Sequence, residues 1–141
     1  MLSLLQKKKI KNYFANQPVE LVYLFGSQAS GKTKPLSDYD LAVLFQKGLS
    51  PKRRFNLRLD YIGALGGILK SDRVEILDLN SAPPTFRYSA LAPRQEIYVK
   101  NEKKRVEFEH KTMSDYFDRL FYLNRHTLNS LTTIAKEGFS P

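Results

Sequence analysis

The stretch Gly26 to Asp40, GSQASGKTKPLSDYD, decides how the rest of the chain is read. Its first eight residues fit G-x-x-x-x-G-K-[ST], a loop whose backbone amides cradle phosphates. The same Gly26-Ser27 pair is followed, after residues 28–37, by Asp38-Tyr39-Asp40. Paired carboxylates at that distance behind a Gly-Ser turn suit a site that holds metal ions for nucleotidyl transfer. Both readings bind a nucleoside triphosphate, but they cleave it at different phosphorus atoms.

The flanking residues separate the two. Glu20 to Phe25, ELVYLF, is an apolar run of strand length, expected for a strand buried on both faces. A phosphate loop then needs a helix whose N-terminal amides and dipole meet the phosphates. Lys34-Pro35-Leu36-Ser37 stands there instead, and proline disfavours helical geometry at the residue before it. Tyr39 to Phe45, YDLAVLF, reads as a second strand. VEILD at 74–78 mimics a Walker B segment, yet residue 75 is charged where an apolar one is expected. The chain is also short for the multi-stranded parallel sheet that such a loop normally accompanies.

In the carboxylate reading, Gly26 and Ser27 form a tight turn in which glycine lets the backbone approach a phosphate. Asp38 and Asp40, at i and i+2 of a strand, point to one face with their Cα atoms ~7 Å apart. That suits Mg2+, which takes hard oxygen ligands and keeps waters and substrate phosphates as well. A lone D-x-D is more often a turn cap and an edge-strand acid; the Gly-Ser upstream, after a buried strand, favours the site.

Around this centre the pattern is α/β, a small sheet with helices around it. Residues 3–16 predict a helix capped by Ser3, with Leu5, Ile10, Tyr13 and Phe14 on its packed face. Ser50-Pro51 opens a second helix, whose apolar stripe is expected at Phe55, Leu59, Ile62 and Leu69, widened by Leu65 and Ile68. Residues 73–79 predict a third strand. A short helix or loop follows Pro83-Pro84, then a brief strand at 96–99. The remainder, 102–136, reads as one long helix or two, with Met113, Phe117, Leu120, Phe121, Leu128 and Leu131 on the buried side.

The 141 residues are expected to form a single domain, 1–141. With no cysteine, disulfides and thiolate metal sites are excluded, and His110 and His126 have no partners at metal or triad spacing. No apolar run approaches the ~20 residues that cross a bilayer. The lysines of MLSLLQKKKIKNYF follow the apolar patch, the wrong order for a signal peptide, so the cytoplasm is the expected location. A net charge of +9 suits a polyanionic partner or a solvated basic surface. No RNA-binding motif with interleaved aromatics accompanies it, so direct nucleic-acid binding is not the favoured reading. Arg53 and Arg54 read as a solvated first turn in preference to contacts with a triphosphate. Phe117, Phe121 and Tyr122 read as core, or, where the terminal helix is exposed, as an interface with a partner helix.

With these residues in place, the chain resembles the minimal nucleotidyltransferase (MNT) antitoxins of the DNA polymerase β superfamily. Gly26, Ser27, Asp38 and Asp40 match the Gly-Ser/Asp-x-Asp hallmark, and SDYDLAVLF, beginning at Ser37, is similar to the family's strand. RVEILDLNSAPPTFRYSAL and EIYVKNEKKRVEFE resemble the later antitoxin segments, so the likeness spans most of the chain. It implies a polymerase-β-like fold, a small mixed sheet flanked by helices with a long C-terminal helical segment. It implies Asp38, Asp40 and Glu75 as catalytic metal ligands for Mg2+, with Gly26, Ser27, Lys32 and Ser37 on the nucleotide.

For function, the resemblance implies transfer of AMP from ATP to a tyrosine of a cognate HEPN ribonuclease toxin, in a hetero-oligomer with that toxin. An inactive antitoxin that works by occlusion is the second reading, and a P-loop ATPase or kinase the third. Two departures stand out. Ser30 occupies a position where the family often has arginine, so a phosphate contact is lost or is supplied by Lys32 or Lys34. Glu75 stands where the family often has aspartate; Asp78, three residues on, is the competing third carboxylate but faces the other way in a regular strand.

Overall fold

The computed structural model describes residues 2–26, 39–91 and 94–137, without the side chains of 130, 131 and 134–137. A four-stranded mixed sheet carries the architecture, with strands β1 (Val19–Phe25), β2 (Tyr39–Phe45), β3 (Val74–Asp78) and β4 (Arg94–Val99) in the order β3-β2-β1-β4. β1 lies antiparallel to both β2 and β4, and β2 runs parallel to β3. The helices are α1 (Leu4–Phe14), α2 (Pro51–Leu69), α3 (Pro84–Ser89) and α4 (Glu102–Glu137).

β1 and β2 are the central strands and explain why their sequences are apolar almost throughout: each must serve two faces. Leu41, Val43 and Phe45 turn toward α1 and α2, where they pack with Val22, Leu24, Ile10, Phe14 and Tyr61. Ala42 turns the other way and joins Leu21, Tyr23, Leu79 and Leu91. Two cores result, one on each side of the sheet.

α1 begins where Ser3 and Gln6 satisfy one another's backbone amides in a capping box. Ile10 and Phe14 are fully buried, and Phe14 meets the Tyr61 ring edge-on at 5.0 Å. Leu5, expected on the packed face, is instead 62% exposed. α2 is capped by Ser50, which accepts from the Arg53 amide ahead of Pro51.

Its buried residues are Leu57, Tyr61, Leu65 and Leu69; Phe55 and Leu59, expected in the stripe, face out. Two arginines hold the helix in that rotation. Arg54 is no solvated first-turn cation: its Nε meets Asp78 Oδ2 at 2.9 Å and its Nη1 donates to the Leu49 carbonyl. One turn later Arg58 donates through Nε (3.1 Å) and Nη2 (2.8 Å) to the Ile76 carbonyl. Facing residues 54 and 58 to β3 rotates 55 and 59 away from the sheet.

Those bonds also complete an edge strand. Tyr39 donates to the Arg73 carbonyl and Leu79 to that of Val43, so odd-numbered residues of β3 bond to β2. Ile76 therefore turns its carbonyl to the open flank, where Arg58 takes it.

On the opposite face α4 is held at its root. The buried Glu109 accepts from the Tyr23 hydroxyl at 2.8 Å and pairs with Arg94 (2.8 Å) and Arg105 (2.7 Å). Burial, and then the bond to Glu109, push the Tyr23 phenol far above its ordinary pKa, so it stays a donor. Tyr88 of α3 stacks on Tyr116 with ring centroids 3.9 Å apart.

α4 then continues as one helix, about 54 Å long at 1.5 Å per residue. From Phe117 onward every described side chain is exposed. Met113, Phe117, Leu120, Phe121 and Leu128, expected to be buried, are not: the helix outlasts a sheet only four strands wide. Leu131 lies among the undescribed side chains. Among the described residues, no helix is long and apolar enough to cross a membrane.

Removing the Glu109 carboxylate leaves the buried Tyr23 phenol without its acceptor and takes one of several partners from Arg94 and Arg105. Glu109→Ala is expected to lower stability by about 2–3 kcal/mol, read as a shifted midpoint in urea unfolding.

Candidate active site

Cross-strand register lines up four residues at one end of the sheet. Glu75 pairs with Asp40, Asp40 with Phe25, and Phe25 with Arg94. Asp40 lies two residues before Ala42, and Glu75 two before Leu77, both of which pack in the second core. The two carboxylates therefore share a face on adjacent strands, where register partners sit close enough to act together.

Asp78 belongs elsewhere. It is buried on the other side of the strand, where it pairs with Arg54, accepts from the Asn80 amide at 2.9 Å and receives the Ser81 hydroxyl at 3.2 Å. Every bond it makes is structural. Glu75 is exposed and is the acid that faces with Asp40.

Gly26 ends β1 at φ +73°, a left-handed backbone that glycine adopts without strain. A Cβ built there would stand 2.7 Å from Asp40 Oδ2. Glycine is thus required by the turn, and any side chain there would push the Asp40 carboxylate aside. A cleft of about 420 Å3 opens beside this end of the sheet, lined by Phe25, Asp40, Glu75, Arg58 and Ile62. Arg58 was not singled out by the sequence reading; its position one helical turn after Arg54 is the signal that places it against β3.

Ser27, Lys32, Ser37 and Asp38 lie outside the described residues. Of the expected site residues, the fold brings together Gly26, Asp40 and Glu75. Among the described residues no group of three potential ligands forms a metal centre. The pair that is present nevertheless fits a hard divalent cation: two carboxylates, in register, on one face, beside a cleft with space for phosphate oxygens. The phosphate-loop alternative fits poorly. A crossover helix opened by such a loop delivers a parallel strand, whereas β2 pairs antiparallel with β1.

A family model described as polymerase beta nucleotidyltransferase matches residues 8–103, a span that includes Gly26, both aspartates and Glu75. The chain belongs to this nucleotidyltransferase family. Among solved structures, a toxin–antitoxin complex with AMP-PNP is similar at 25% identity and TM-score 0.66, over 89% of this chain and 98% of that one. A single-residue mutant of the MntA–HpeT toxin–antitoxin is similar at 26% identity and TM-score 0.63, over 94% and 99%. A tri-AMPylated Shewanella oneidensis HEPN toxin in complex with MNT antitoxin shares the fold at 24% identity and TM-score 0.63, over 91% and 97%. No curated protein matches the chain. These similarities support the MNT antitoxin group and the polymerase-β-like fold expected from the sequence.

Two sets of substitutions probe this geometry. Gly26→Ala is expected to cost about 1–2 kcal/mol in the left-handed turn and to displace the Asp40 carboxylate, weakening Mn2+ binding in calorimetry. Asp78→Ala is expected to lower the melting temperature while leaving Mn2+ affinity intact, and Glu75→Ala to do the reverse.

Proposed function

We propose that this protein transfers AMP from ATP to a tyrosine of a HEPN-domain toxin and so neutralises it. The observation that carries the reading is the placement of Asp40 and Glu75 in register on one face, with the Asp40 carboxylate against the Gly26 turn. Similarity to a toxin–antitoxin complex with AMP-PNP supports the nucleotide and the partner, and the tri-AMPylated toxin bound by an antitoxin of the same fold supports the acceptor.

In this reaction a phenolic oxygen attacks the α-phosphorus of ATP. A bond forms between them, the α–β anhydride breaks, pyrophosphate leaves, and the phenolic proton passes to an acceptor at the carboxylate row. Asp38, Asp40 and Glu75 would hold Mg2+, which when bound activates the hydroxyl and neutralises charge on the α-phosphate and the leaving pyrophosphate. The chain's own contribution is positioning. The Gly26 turn brings backbone close to the triphosphate, with Ser27, Ser37 and Lys32 as further contacts, and the cleft beside Phe25 and Ile62 gives the nucleotide room. Rigid strands fix the carboxylates, so little reorganisation is needed as charge develops.

Neutralisation by binding alone is the second reading, and the exposed apolar length of α4 favours it. Labelled ATP separates the two. With a HEPN-domain toxin as partner, label from the α-phosphate is expected on the partner and label from the γ-phosphate is not. Asp40→Ala is expected to lower transfer by ~100-fold or more, and Lys32→Ala to weaken it by less. A fully active Asp40→Ala beside a dead Lys32→Ala would overturn the assignment. A neutralised complex without any transfer would establish occlusion.

A further inference from the structure

Arg54 and Arg58 stand one turn apart on α2 and both reach β3, but they use their donors differently. Arg54 is engaged on two sides of its guanidinium: Nε meets Asp78 and Nη1 donates to the Leu49 carbonyl. Arg58 puts Nε and Nη2 on a single acceptor, the Ile76 carbonyl. A guanidinium is a planar group of five donors. One terminal nitrogen and Nε share its side edge, and the two terminal nitrogens share its end edge. The carbonyl takes the side edge of Arg58. The end edge keeps two parallel N–H groups and has no partner among the described residues.

Ile76 follows Glu75 on β3, and Glu75 is the register partner of Asp40. The carbonyl that anchors Arg58 is therefore one residue, ~3.3 Å along the strand, beyond the carboxylate row. Asp40, Glu75 and Arg58 all line the cleft of about 420 Å3, yet Arg58 forms no ion pair with either acid. It is half-buried, and a charged bond made there is screened less than one in open water.

The cleft divides by chemistry. Phe25 and Ile62 supply an apolar wall, and Ile62 lies one turn beyond Arg58 on the same face of α2. Asp40, Glu75 and Arg58 supply a charged end. Two carboxylates alone repel a polyphosphate, and a cation beside them offsets that repulsion. The end edge of a guanidinium matches two oxygens of one phosphate. A phosphate can give those two and still offer a third to a cation on Asp40 and Glu75, whereas a carboxylate has only two.

We propose that Arg58 binds the triphosphate chain of the nucleotide through the end edge of its guanidinium, while the side edge stays on the Ile76 carbonyl. This rests on the proposed function for the nucleotide, and adds a phosphate-binding residue from α2 to a site otherwise built from the sheet and the turn after β1. The bond to Ile76 aims the guanidinium in advance, so little ordering is needed when phosphate arrives.

The test uses the full-length protein with Mg2+ and reads binding apart from transfer. Calorimetry gives the affinity for ATP, and displacement of a fluorescent ATP analogue gives those for tripolyphosphate and adenosine separately. Arg58→Gln keeps a donor for the Ile76 carbonyl and removes the charged fork. It is expected to bind ATP and tripolyphosphate ~10-fold or more weakly, and adenosine as the wild type does. Arg58→Lys keeps the charge without the fork. It is expected to lose roughly 3–10-fold on the same two ligands, and it carries the comparison alone should Arg58→Gln not fold. Arg54→Gln is the control: its melting temperature is expected to fall while the ratio of tripolyphosphate to adenosine affinity stays at the wild-type value.

Unchanged tripolyphosphate affinity in the Arg58 variants overturns the proposal, even where α-label still reaches a HEPN-domain toxin. An equal loss for adenosine and tripolyphosphate also overturns it, since Arg58 would then only hold the cleft in shape. The expected losses in a protein that transfers no α-label uphold the proposal and sink transfer alone. A wild-type protein that binds neither ATP nor tripolyphosphate overturns both.

Discussion

The antiparallel register of β1 on β2 is the constraint on which the rest depends. It sets Phe25 opposite Asp40, so that the glycine ending one strand is backed against the carboxylate opening the next. A slip of one residue would send Asp40 to the face occupied by Leu41, Val43 and Phe45. The slip is prevented by burial rather than by anything in the site: Leu21, Val22, Tyr23, Leu24, Leu41, Ala42 and Val43 are fully buried, each committed to one core or the other. The parallel pairing with β3 transmits the same register to Glu75. A packing requirement across the whole sheet thereby fixes two charged groups at its end.

The sheet in turn is locked to its helices by groups that resemble surface charges in the sequence. Arg54 and Arg58 hold α2 to β3, while Arg94 of β4 reaches Glu109 of α4 and Arg105 of α4 reaches Glu96 of β4. Each guanidinium engages a defined carboxylate or carbonyl, which fixes rotation about the helix axis as well as distance. The basic balance of the chain is therefore partly internal. Several of its cations, Arg54 and Arg105 among them, are engaged in holding the fold together and are not available to a polyanionic partner.

The central strands, the Ser3 and Ser50 caps and the opposed faces of Glu75 and Asp78 are all legible in the sequence, because each rests on local rules: strand alternation, cap chemistry and helix period. The rotation of α2 is not. Phe55 and Leu59 fit an apolar period as well as Leu57, Tyr61 and Leu65 do, and the face that is buried is the one consistent with the long-range bonds of Arg54 to Asp78 and of Arg58 to Ile76. The exposed end of α4 escapes the sequence for a similar reason. Amphipathic periodicity reports that a face is to be covered, but does not report whether the cover belongs to the same chain. In the candidate site, Gly26, Asp40 and Glu75 lie together at one end of the sheet, whereas Ser27, Lys32, Ser37 and Asp38 lie in a stretch outside the described residues.

The flank of β3 that no described strand covers has a consequence for how the protein behaves at high concentration. An edge strand offers its spare carbonyls and amides to any other chain that can supply a strand, the first step of sheet-to-sheet aggregation. Sheets often protect such an edge by burying it under another element. Here the neighbouring Glu75 faces the cleft, and a covering strand would close it. Arg58 resolves the conflict by satisfying the Ile76 carbonyl with a side chain in place of a strand. The edge beside the cleft thus offers one fewer acceptor to another polypeptide, and the residue that occupies that acceptor also lines the cleft.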